Sequence, residues 1–174
     1  MTRLHFVDEA ELYAHKAWET LGLEPPADLG LVASRLGIQV DEREFAEEID
    51  GMYLRLPGAP AIIAINTLYV KPPVRRRFTP AHEIGHHLLS SRLSPARRVF
   101  FFDTHRARHT LMERACDRFA ALLLMPEELV RRFYAELEHN PANRVRILAD
   151  RFGVSTWAMR RRLGELGLPT RMRR

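Results

Sequence analysis

The chain has a single cysteine, Cys116, and only two lysines, Lys16 and Lys71. One thiol excludes an internal disulfide and a cysteine-built zinc site. The scarcity of lysine puts almost all the positive charge on arginine, within a net charge of +5. Composition bias or high-temperature adaptation accounts for that as readily as a functional basic surface does. No apolar run approaches the roughly 18 residues that a spanning helix needs, so no membrane partner is expected. The N-terminal MTRLHFVDEAELY lacks the apolar segment of a signal peptide. Together with the lone cysteine, this points to the cytoplasm. There is no internal repeat and no low-complexity segment.

What is present suits one domain with a small appendage: 174 residues, 46% of them hydrophobic. The expected division is a core over residues 1–126 and a helical portion over 127–174. Residues 8 to 21 read as an amphipathic helix with Asp8 as N-cap. A short helix follows from Leu29 to Leu36, opened by Asp28 and ended by Gly37. Strands are expected from Ile38, over Met52–Leu56 and over Ala61–Ile65, with Asp50-Gly51 as a turn and Pro57-Gly58-Ala59-Pro60 as a hairpin loop. Residues 91 to 108 read as a long connection in which Phe100, Phe101 and Phe102 are core anchors, or else a substrate-facing patch. Helices then follow over 109–125, Glu127–Leu137, Asn140–Phe152 and from Ser155 to Leu166. The fold class is α+β, with a small three-stranded sheet packed with helices.

Residues 75 to 90 read RRRFTPAHEIGHHLLS and contain H-E-x-x-H. A helix starting at Thr79 or Pro80 puts Phe78, Ala81, His82, Gly85, Leu88 and Leu89 on one inward stripe. Residues four apart share a face, so His82 and His86 can offer two imidazoles to one metal ion. Glu83 falls beside that ion, where its carboxylate can take a proton from a water the metal activates. His87 points about 100° away from His86. A catalytic zinc takes three protein ligands. The H-E-x-x-H-x-x-G-x-x-H solution is closed, because its last two positions hold Leu89 and Arg92. Glu113, early on the next strong helix, is the leading third ligand. Asp117, one turn later, is placed to accept a hydrogen bond from a ligand histidine. His105, His109 and Asp103 remain competitors. The two-histidine, one-carboxylate set favours zinc, with manganese as an alternative. Tyr53 and Tyr69 are candidate oxyanion donors, although packing is the commoner role of a tyrosine. The Ala61–Ile65 strand, with Ile63, Ile65 and Asn66, is a candidate substrate-binding edge by strand addition, or else a central strand.

These residues resemble the ImmA/IrrE family of zinc metallopeptidases. The resemblance rests on Arg77-Phe78-Thr79, Ala81-His82-Glu83, Gly85-His86, Glu113, Asp117, Phe119-Ala120 and Leu123-Leu124-Met125-Pro126. The strand end Ile65-Asn66 and the closing LADRFGVSTWAMRRRLGELGL are also similar. It implies a thermolysin-like zinc site on His82, His86 and Glu113, with Glu83 as the general base. It also implies a site-specific endopeptidase that cuts a helix-turn-helix transcriptional repressor, in a stress or DNA-damage response or in mobile-element control. The expected form is the short one, without the additional C-terminal sensor-like domain of larger members. A reading of a different class comes from residues 144 to 166. A helix, a Gly153-Val154-Ser155 turn and a helix with Arg160, Arg161 and Arg162 look like a helix-turn-helix. On that reading the protein is a DNA-binding regulator whose metal site is structural or sensory.

Overall fold

The β-prone run Ala61–Asn66 is buried along nearly its whole length, as a strand covered on both faces must be. A computed structural model describes residues 5–45, 49–68, 76–90, 97–104, 110–140 and 142–170. In it this run is β3, an interior strand of a four-stranded sheet. The order is β1-β3-β2-β4, with β1 at Ile38–Arg43, β2 at Ile49–Arg55 and β4 at Val99–Thr104. β1 runs parallel to β3, and β2 runs antiparallel to both β3 and β4.

The sheet therefore has four strands and not the expected three. The additional strand, β4, comes from the stretch read as a connection. Its Val-Phe-Phe-Phe-Asp-Thr sequence shows no alternation of apolar and polar residues that would mark a half-buried strand. Phe100 and Phe102 remain 52% and 48% exposed, so they are not core anchors. Phe101, between them, packs against the core. Asp50-Gly51 also departs from expectation, lying inside β2 rather than in a turn. Gly51 is there for close approach. A Cβ at this position would stand 2.6 Å from Thr79 Cγ2 and 3.1 Å from Glu83 Oε1.

The helices are α1 (His5–Leu21), α2 (Leu29–Arg35), α3 (Phe78–Leu89), α4 (Leu111–Leu124), α5 (Glu127–Glu136), α6 (Arg144–Phe152) and α7 (Thr156–Glu165). Asp8 lies within the first turn of α1 and not at its cap. Asp28 caps α2 by accepting from Leu31 N. Thr110 caps α4 by accepting from Glu113 N at 3.1 Å. α6 begins at Arg144, later than the Asn140-Pro141 signal suggests. α3 lies on β2 and β3, and α4 packs against both α1 and α3. The C-terminal helices are tied to this unit by Arg162, whose guanidinium is 2% exposed and donates to the Met125 carbonyl at 3.0 Å. No helix among the described residues is long and apolar enough to cross a membrane.

Candidate metal centre

The i, i+4 spacing puts His82 and His86 on the face of α3 that meets α4, and both rings are fully buried. The crossing is close because position 85 is glycine. A Cβ there would lie 3.1 Å from Cys116 Cα and 3.2 Å from the Phe119 ring. Across this contact, Glu113 on α4 faces both histidines. Its carboxylate oxygens stand 3.0 Å from His82 Nε2 and 3.3 Å from His86 Nε2. The two Nε2 atoms are 3.1 Å apart.

This triangle fits a metal ion. Bonds of about 2.0–2.1 Å in tetrahedral geometry separate the ligand atoms by about 3.3–3.4 Å. The protonation chemistry agrees. Asp117 Oδ1 lies 2.9 Å from His82 Nδ1, and a carboxylate only accepts. The proton of neutral His82 is therefore on Nδ1, which leaves Nε2 with a lone pair aimed at Glu113. Burial works to raise the Glu113 carboxyl, but with the rings protonated the hydrogen bonds and charge of His82 and His86 outweigh it and hold the group at about 2, so positive charge at this point favours the ionised form. The carboxylate is thus ionised at neutral pH. With both rings neutral and protonated on Nδ1, three electron-pair donors would converge on one point, the arrangement a cation fills.

Glu83 follows His82 on α3, is fully buried, and sits beneath β2 at Gly51. Phe101 of β4 stacks on the His86 ring, with centroids 4.2 Å apart and planes 13° apart. On the far edge of that ring, Cys116 Sγ lies 3.3 Å from Nδ1. His82, His86 and Cys116 also bring one ligand atom each within 4.8 Å of one another. The Glu113 set is tighter and lies on the Nε2 side of both rings, which makes it a second candidate ligand set.

A family model described as Peptidase_M78, IrrE N-terminal-like domain, matches residues 33–164. The chain belongs to this metallopeptidase family. No curated protein matches it. The matched span contains every residue of the centre just described, from Gly51 on β2 to Asp117 on α4.

Other candidate residues of this Peptidase_M78 chain fall elsewhere. Tyr53 on β2 is buried, and its hydroxyl is 3.0 Å from His87 Nδ1. Burial pushes the Tyr53 phenol up; it pushes His87 down, with the nearby Arg55 charge adding to the latter. The protonated phenol therefore donates to a neutral imidazole. Their contact joins β2 to α3, one turn beyond Glu83. Ile63 and Ile65 lie in the core on β3, which is paired on both sides. Asn66 clamps backbone. Its Oδ1 accepts from Phe45 N and Leu68 N, and its Nδ2 donates to the carbonyls of Phe45 and Ile49. Tyr69, His105, His109 and the Asp103 side chain lie outside the described residues. The sequence reading assigned no role to Phe101 or Cys116 at the centre. Cys116 carried a usable signal, since it shares a helix face with Glu113 three residues earlier.

Proposed function

We propose that the protein is a zinc-dependent endopeptidase that cuts a helix-turn-helix transcriptional repressor, relieving repression in a stress response or in control of a mobile element. The observation that carries the enzymatic reading is the convergence of His82 Nε2, His86 Nε2 and Glu113 within 3.0–3.3 Å of one another, with Glu83 buried one residue from His82. Zinc held there supplies Lewis-acid polarisation of a peptide carbonyl and a lowered pKa for attacking water. Manganese is the alternative metal on the same ligands. Asp117 keeps the His82 proton on Nδ1 and so keeps Nε2 available. Glu83 accepts the proton of the attacking water and delivers it to the leaving amine. Its burial, with Gly51 against it, keeps the carboxylate at the edge of the centre and out of bulk solvent.

Among the described residues, the sheet offers an extended substrate one edge next to the centre. This is β4, outermost in the strand order, whose Phe101 lies on His86. An added strand there would gain main-chain hydrogen bonds. β3, interior to the sheet, has no edge to offer, and Tyr53 is engaged by His87.

The test is cleavage of helix-turn-helix repressors from the same genome, with zinc present, read by mass spectrometry. We expect one cut by wild type, and Glu83→Gln should lose about 10²–10⁴-fold in rate while keeping its metal. Near wild-type cutting by Glu83→Gln would remove the general-base role. No cut by wild type carrying stoichiometric zinc would remove the repressor as substrate.

The DNA-binding reading has one supporting feature. α6, the turn at Gly153 and α7 have helix-turn-helix spacing, and Trp157 on α7 is 69% exposed. Against it, Arg162 is buried in packing and Arg161 is paired with Glu165 at 3.2 Å. Arg146 and Arg151 are likewise paired, with Asp150 and Glu136. Duplex binding that weakens steeply with salt would favour this reading.

A further inference from the structure

We propose that Cys116 is a positioning residue for the metal centre: its sulfur accepts the Nδ1 proton of His86 and so fixes which edge of that ring faces the metal. This rests on the metal-site reading above, with His82, His86 and Glu113 as ligands.

An imidazole that binds metal through Nε2 carries its proton on Nδ1, and a partner for that proton sets both tautomer and ring orientation. Asp117 is that partner for His82, at 2.9 Å. At His86 the same place is held by Cys116 Sγ, 3.3 Å from Nδ1. Both residues are fully buried, so bulk water does not compete. The stack with Phe101 fixes the ring plane. It does not fix the edge. A half-turn about Cβ–Cγ leaves the plane unchanged, yet it exchanges Nδ1 with Cδ2 and Nε2 with Cε1. The Glu113 contact at Nε2 favours one orientation, and a polar contact at the Nδ1 position favours the same one from the opposite edge while also setting the tautomer. Sulfur is a weak acceptor, but here it is brought in by the closest part of the helix crossing, where a Cβ at Gly85 would be 3.3 Å from Cys116 Cβ. One face of α4 thus supplies a metal ligand, Glu113, and the ring partners of the two others, Cys116 and Asp117. The sulfur sits on the ring edge away from the Nε2 donors, which separates this role from direct ligation.

The experiment compares wild type, Cys116→Ala and Cys116→Ser. Zinc affinity is measured by chelator competition, cobalt-loaded protein by absorption, and the His86 Nδ1–H of zinc-loaded protein by NMR. Cys116→Ala keeps the Cβ that packs on Gly85. We expect it to bind zinc about 10–100-fold more weakly and to lose protection of the Nδ1 proton. Cys116→Ser, whose hydroxyl also accepts, should recover most of the affinity. Wild-type cobalt protein should show no thiolate-to-cobalt charge-transfer band. A folded Cys116→Ala with wild-type affinity would overturn the proposal, as would a charge-transfer band that makes Cys116 a ligand. Should Cys116→Ala not fold, the wild-type spectrum decides: a protected His86 Nδ1–H supports the proposal and its absence overturns it. Wild type that takes up no metal would instead overturn the metal-site reading on which this one stands.

Discussion

His82 and Glu113 are the two residues whose chemistry is most constrained by their neighbours. Asp117 can only accept, so the His82 proton is on Nδ1; Glu113 then faces a bare nitrogen 3.0 Å away. Removing each partner should have graded effects. Asp117→Asn leaves the ligands in place but weakens the acceptor at Nδ1, and zinc affinity should fall by about 10–100-fold. Glu113→Ala removes the proposed third ligand and should cost more than that range. Zinc content after dialysis against a graded chelator checks both. Equal retention by Glu113→Ala and wild type would move the third ligand elsewhere.

The helix pair α3 and α4 is the element on which the centre depends, and the glycine at position 85 sets their separation. Gly85→Ala would gain up to about 1 kcal/mol of helix propensity. The added methyl, 3.1 Å from Cys116 Cα, should more than cancel this by overpacking, which typically costs about 1–3 kcal/mol. Urea denaturation should show a net loss of stability, and zinc affinity should fall with it as Glu113 is pushed from the histidines. A stabilised Gly85→Ala would mean that the helices yield without strain. The C-terminal helix α7 gives a contrast between two of its residues. Arg162→Ala leaves the Met125 carbonyl without its 3.0 Å donor and should destabilise by about 1–3 kcal/mol. Trp157→Ala, at 69% exposed, should stay within about 0.5 kcal/mol of wild type.

For the whole molecule, a metal held at the proposed centre would link binding to stability, because the candidate donors come from both α3 and α4. An ion that binds only the folded chain adds about 2.7 kcal/mol when its free concentration is 100 times its dissociation constant. Chelation should therefore lower the melting temperature, and restoring zinc should raise it again. A melting temperature indifferent to zinc would mean that the centre is not a metal site of the folded state. Among the described residues, the charge of the molecule shows a second global feature. Most of the arginines on its C-terminal helices pair with acidic neighbours on the same or adjacent helices.

The sequence alone determined the helical content, the α+β class, the family resemblance and the H-E-x-x-H face. Each of these depends on local periodicity or on a short motif. His82 and His86 meet because they are one turn apart on a helix, whatever the rest of the chain does. It could not determine the environment of those side chains. β4 was hidden because three consecutive phenylalanines carry no period of two, and only pairing with β2 makes Phe101 inward and its neighbours outward. Gly51 looked like a turn because glycine after aspartate usually is one. Its reason is the approach of Thr79 and Glu83 from another element. The assignment of β3 as interior, the engagement of Tyr53 by His87 and the contact of Cys116 with His86 were likewise decided by packing between elements far apart in the chain. Such contacts leave no periodic trace in the sequence, and so only the tertiary structure could give them.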